Sequence, residues 1–116
     1  MNISEFNYRT YDNSSRALEN GFQMKPKIHC NDGFVMSAQG SSTHYCEPRS
    51  VEKDYYSMEI GFPSQDEPIL YKYMDGDIET TIPTDTVYGY VPCDIIDELI
   101  VKHGGINEEL TFKNKL

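Results

Sequence analysis

The hydrophobic period of this chain changes once, at Pro92, and that change limits the folds open to it. Before Pro92 the apolar residues alternate. Ile28 and Cys30 precede Asp32-Gly33, and Phe34, Met36 and Ala38 follow it; Tyr56, Met58, Ile60 and Phe62 alternate again. Residues 84–91 (Thr-Asp-Thr-Val-Tyr-Gly-Tyr-Val) are rich in β-branched and aromatic side chains. A period of two places every second side chain on one face of a strand. After Pro92 the spacing becomes helical: Ile95, Ile96, Leu99, Ile100 and His103 form one stripe at a period of 3.6. Pro92 suits a first turn, where its missing N–H has no partner to lose. Asp94, Asp97 and Glu98 complement the positive end of the helix dipole, and Gly104-Gly105 supply a left-handed stop.

These patterns predict an α+β fold: a small, mostly antiparallel sheet of about four strands with one C-terminal amphipathic helix packed on it. Asp32-Gly33 between two alternating runs predicts a hairpin closed by a type I′ turn. Residues 54–62 and 84–91 supply further strands, while residues 69–74 are apolar enough to pack but too short to assign. Residues 26–106 make up the single domain. Residues 1–25 read as an N-terminal arm, in which Asp12-Asn13-Ser14-Ser15 would cap a short helix over 16–20 ended by Gly21. Residues 107–116 read as a polar tail. Strict alternation would turn Tyr55, Tyr88 and Tyr90 away from the core, giving the sheet an aromatic face for a partner or a second copy of the chain.

Charge is distributed as unevenly as hydrophobicity. Residues 52–98 hold twelve Asp or Glu against Lys53 and Lys72, a local balance of −10; the remainder balances at +1, which gives the net −9. Such a field repels nucleic acid and attracts basic surfaces, so direct nucleic-acid binding is not expected. Asp66, Glu67, Asp75, Asp77, Glu79 and Asp85 are the expected partner-facing carboxylates, with Tyr88 and Tyr90 as their aromatic anchors. No apolar run approaches the ~20 residues that span a bilayer, and the first residues lack the basic start and apolar middle of a signal peptide. With three cysteines, Cys30, Cys46 and Cys93, a fully paired disulfide framework is not expected.

No catalytic motif accompanies this field, and no enzyme activity is expected. Asp75-x-Asp77-x-Glu79 begins like a calcium loop, but Thr80 and Thr86 stand where an EF-hand loop needs Gly and Glu. His29, Cys30, His44, Cys46, Cys93 and His103 include zinc-ligand types without a Cys-x-x-Cys knuckle, so neither metal nor cofactor is expected. Cys93 at a helix start is the best-placed thiol, but Asp94 and Asp97 beside it oppose ionisation. The segment 44–49 (His-Tyr-Cys-Glu-Pro-Arg) is the densest cluster of versatile side chains. It reads as a recognition loop, His44, Tyr45, Cys46 and Arg49 being its candidate residues, with Tyr45 the anchor and Arg49 the clamp.

Several ordered motifs are familiar. Asp32-Gly33-Phe34-Val35-Met36-Ser37-Ala38-Gln39 is followed by His44-Tyr45-Cys46-Glu47-Pro48-Arg49 and by Gly61-Phe62-Pro63-Ser64. Pro83-Thr84-Asp85-Thr86-Val87-Tyr88-Gly89-Tyr90-Val91-Pro92 and Lys102-His103-Gly104-Gly105 complete the series. Across residues 28–106 the chain resembles a family of small bacteriophage and prophage proteins. The resemblance assigns no reaction or ligand to individual residues. It implies a setting, the cytoplasm of an infected bacterium, and a class of partner: a host protein with a basic surface, such as a CRISPR nuclease or another defence protein. An inhibitor that occupies a nucleic-acid-binding surface fits that setting. An oligomerising structural or assembly protein, with a homodimer as its simplest form, is the alternative, and a binder of small ligands or nucleotide signals is a third.

Overall fold

The computed structural model of the protein describes residues 1–113. Four antiparallel strands form one sheet in the order β1-β2-β3-β4: β1 (Ile28–His29), β2 (Val35–Gln39), β3 (Ser57–Gly61) and β4 (Val87–Pro92). Helix α3 (Cys93–Lys102) follows β4 without a linker, as the change of period at Pro92 predicts. The core joins Met36, Ala38, Met58, Ile60, Tyr88 and Val91 of the sheet to Ile96, Leu99 and Ile100 of α3. Gly104 and Gly105 adopt φ of 86° and 91°, the left-handed stop after the helix. The chain then returns, and Ile106 bridges Cys30 beside β1.

The N-terminal segment is not an arm. Helix α1 (Ile3–Thr10) buries Ile3 and Phe6 in the same core. Its docking is polar as well as apolar: the Ile3 N–H donates to Asp97 on α3 at 2.8 Å, and Asn7 donates to Asp54 at 3.2 Å. Asn2 caps it by accepting the Glu5 N–H. The short second helix, α2 (Ser15–Asn20), follows its sequence signals closely, with Ser14 as cap and Gly21 at φ 68° as stop. The tail also begins as a helix, α4 (Glu108–Phe112), capped by Asn107 and tied to α1 through Arg9–Glu108 at 2.6 Å. Residues 114–116 of the expected tail lie outside the described residues.

The hairpin between β1 and β2 forms with a different turn. Of its residues only Gly33 has positive φ, 98°, whereas a type I′ turn needs two. Cys30 N–H donates to the Phe34 carbonyl at 2.8 Å, and the Asp32 carboxylate accepts the Phe34 N–H at 2.9 Å. The other Asp32 oxygen lies 2.7 Å from His103 Nδ1, so the turn is anchored to the end of α3. His103 is buried and stacked on Phe34 at 3.9 Å, and its Nε2 reaches Glu67 at 2.5 Å. Glu67 is itself buried and also accepts from Lys102 at 2.7 Å.

Both edges of the sheet are occupied by chain rather than left open. Asn107 N–H donates to the His29 carbonyl at 2.7 Å on one edge, and Met74 bridges Tyr88 on the other. Met74 is placed there by a 3₁₀ turn, Pro68–Tyr73, in the stretch whose pattern was too short to assign. Strand addition by a partner is blunted at these positions.

Two stability measurements check this architecture. Phe6→Ala is expected to cost about 3–5 kcal/mol in urea unfolding, the range for a fully buried aromatic, whereas a dispensable arm would tolerate it. His103→Ala is expected to cost about 3 kcal/mol because it leaves the buried Glu67 carboxylate with Lys102 alone. Asp32→Asn, at the exposed end of the network, is expected to lower the urea midpoint less than His103→Ala does.

Candidate functional site

The pairing of β3 with β4 slips in the middle. Met58 pairs with Val91 and Ile60 with Tyr88, so Gly89 and Tyr90 together face the single residue Glu59. This is a β-bulge, and it changes the phase of the strand. Tyr88 and Val91, three residues apart, both point into the core, and Tyr90 is turned out with φ 55°. A left-handed conformation is strained for a residue of this size.

The bulge creates a neighbour for the 44–49 segment. Tyr90 N–H donates to the Tyr45 carbonyl at 2.9 Å, and their rings lie 5.9 Å apart, tilted by 37°. Tyr45 can lie across the strand because position 89 is glycine: a Cβ there would stand 3.1 Å from the Tyr45 Cβ. Arg49 covers the Tyr45 ring at 5.5 Å. Beside the pair is a cleft of about 310 Å³, walled by Tyr45, Tyr73, Met74 and Tyr90, with Asp75 and Lys72 at its margin. Glu59 lies half-buried next to it. Burial raises its carboxyl above the ordinary value, and nearby Asp75 adds to this against the Tyr45 N–H and Arg49, which act in the opposite sense.

The acidic residues of the cleft's margin continue into a closed loop. Asp75 N–H donates to the Val87 carbonyl at 2.9 Å, and Thr86 Oγ1 to the Asp75 carbonyl at 3.0 Å, which brings the two ends together. Between them Asp77, Glu79 and Asp85 are exposed, as are Ile78 and Ile82 at 46% and 63%. Asp66 is exposed too and accepts from the Tyr71 hydroxyl. Exposed to this degree on a carboxylate-bearing loop, the two isoleucines contribute little to the core.

Four of the expected site residues are elsewhere. Glu67 is 1% exposed and belongs to the His103 network, so it offers no charge to a partner. Tyr88 is fully buried, its hydroxyl donating to the Pro83 carbonyl at 2.6 Å, because the bulge reverses the alternation that would have exposed it. Cys46 is buried too, its thiol near the Ser41 and Pro48 carbonyls at 3.2 and 3.3 Å. His44 bonds Ser41 at 2.7 Å and stacks on Phe22, which makes it a brace for the loop. Tyr45, Arg49, Asp75 and Tyr90 are brought together. Tyr55, expected on an open face, packs its ring against Gly40, and Tyr56, expected in the core, is 83% exposed. Glu59, Tyr73, Ile78 and Ile82 were not anticipated. The two isoleucines carried a signal, being isolated apolar residues within an acidic run.

Both ring nitrogens of His103 are engaged by carboxylates. Among the described residues no group of three or more His, Cys, Asp or Glu side chains is arranged to hold a metal ion. No described helix is long and apolar enough to cross a membrane. A larger cleft of about 610 Å³ is lined by Tyr11, Met24, His29, Leu110 and Lys113 among the described residues. No protein-family model, curated protein or solved structure matches the chain.

The thiols give this region a definite pH response. Burial lifts Cys30 to about 11, with Asp32 adding to it. Burial likewise lifts Cys93 to about 12, reinforced by Asp54, Asp97 and Asp94. An unfolded thiol ionises near ~8.5, so above that pH the unfolded chain has released protons that the folded chain retains. Stability is therefore expected to fall as pH rises from about 8.5 towards 11. Urea midpoints measured across this window check it, and a flat profile would contradict the burial of both thiols.

Proposed function

We propose that this chain is a non-catalytic, phage-encoded binding protein that occupies a basic, nucleic-acid-binding surface of a host defence protein. The observation that carries the reading is the closed loop of residues 75–86, which exposes Asp75, Asp77, Glu79 and Asp85 together with Ile78 and Ile82. Carboxylates steer association with a basic surface and set its orientation, whereas the apolar side chains supply area to bury. Tyr45, Tyr90 and Arg49 adjoin the loop and belong to the residue types that dominate binding energies. The fixed ends of the loop, and of the bulge beside it, reduce the ordering cost of docking.

The charge-reversed variant Asp75→Lys/Asp77→Lys/Glu79→Lys tests this directly. All three side chains are exposed, so folding is expected to survive. A protein retained from bacterial lysate by the wild-type chain should be released by added duplex DNA and by high salt. The reversed variant should bind that protein about 100-fold or more weakly. Equal retention by the variant, or indifference of the complex to DNA, would refute occupation of a nucleic-acid-binding surface.

A further inference from the structure

The cleft beside the bulge has a chemistry of its own. Its lining joins three aromatic residues, Tyr45, Tyr73 and Tyr90, to apolar Met74 and acidic Asp75. At about 310 Å³ it sits at the lower limit for small-molecule sites and has room for one long side chain. We propose that this cleft receives a single arginine side chain of the protein partner, its guanidinium entering beside the Tyr45 and Tyr90 rings and pairing with Asp75. The proposal rests on the docking reading above and names the contact at its centre.

Three observations support an arginine. First, the ring surfaces here already attract cations: Arg49 lies 5.5 Å from the Tyr45 centroid and Lys72 lies 5.3 Å from that of Tyr73. Second, the local balance of charge remains negative. Glu59 and Asp75 offset Arg49 and Lys72, and Asp77 and Glu79 on the adjoining loop tip the field further. Glu59 is short of positive charge, since burial and Asp75 raise its carboxyl despite Arg49; an entering guanidinium would reverse that. Third, Tyr90 occupies a left-handed position that glycine would adopt without strain, and the residue remains 43% exposed. Strain held at an exposed aromatic brings little burial in return, and points to a contact outside the chain.

The test needs no partner protein. N-acetyl-arginine amide is titrated into the ¹⁵N-labelled full chain, with the N-acetyl-citrulline amide as a neutral analogue of the same shape. The arginine probe is expected to shift the amides of Asp75, Gly89 and Tyr90 saturably in the millimolar range and to lower the Glu59 pKa. The citrulline probe should bind about fivefold or more weakly, the factor a cation contributes at an exposed aromatic site. Tyr90→Gly should lose the response while keeping a urea midpoint at or above wild type, and Asp75→Asn should weaken it without touching the rings. Equal binding of the two probes, or no saturable shift at these amides, overturns the proposal. Such a failure bears on the cleft alone; failure of the charge-reversal experiment, whose variant includes Asp75, overturns the docking reading and with it the partner arginine that rests on it.

Discussion

The contact on which most of this structure depends is the imidazole of His103 between two carboxylates. It ends α3, lies flat on Phe34, and holds Asp32 of the hairpin on one side and Glu67 on the other. Three segments far apart in sequence meet there. Holding Glu67 also sets the start of the 3₁₀ turn, which delivers Met74 to the edge of β4 and Asp75 to the base of the acidic loop. A buried charged group costs stability unless its partners are complete, so the cluster fixes one arrangement of these segments and penalises others.

From that frame the outer surface is shaped by a single irregularity. The bulge at Gly89 and Tyr90 lets β4 bury Tyr88 and Val91 while turning Tyr90 outward. The missing side chain at Gly89 admits Tyr45, and the free backbone N–H of Tyr90 then holds the Tyr45 carbonyl. An aromatic pair, a cleft and a carboxylate loop thus share one margin of the sheet. All of them sit on elements whose positions the core dictates, which suits a preorganised contact surface.

Much of the architecture was legible along the chain. The strands at Met36 and Ala38, at Met58 and Ile60, and around Val91, the helix after Pro92 and the stops at Gly21 and Gly104-Gly105 all follow from period and capping, which are local properties. The docking of Ile3 and Phe6 was not legible, because a short polar helix shows little period and is held by distant Asp54 and Asp97. The candidate site was legible in part. Tyr45, Arg49, Asp75 and Tyr90 were identified, yet their convergence was not. Glu67 looked like one more acid in an acidic stretch, since a count of charges along a chain carries no information about which carboxylate meets a buried histidine.

By itself, then, the sequence determined the class of fold, the order of the four strands and the helix after Pro92, and the acidic character of residues 52–98. Alternation, helical period, glycine stops and charge are each decided within a few residues. The tertiary structure alone decided the phase of β4 beyond Tyr88, the burial of Glu67 and Tyr88, the exposure of Ile78 and Ile82, and the meeting of Tyr45 with Tyr90. The physical reason is common to all four. Each depends on packing between segments that the chain brings together only when it folds, and in β4 that packing also fixes where the one-residue slip in pairing falls.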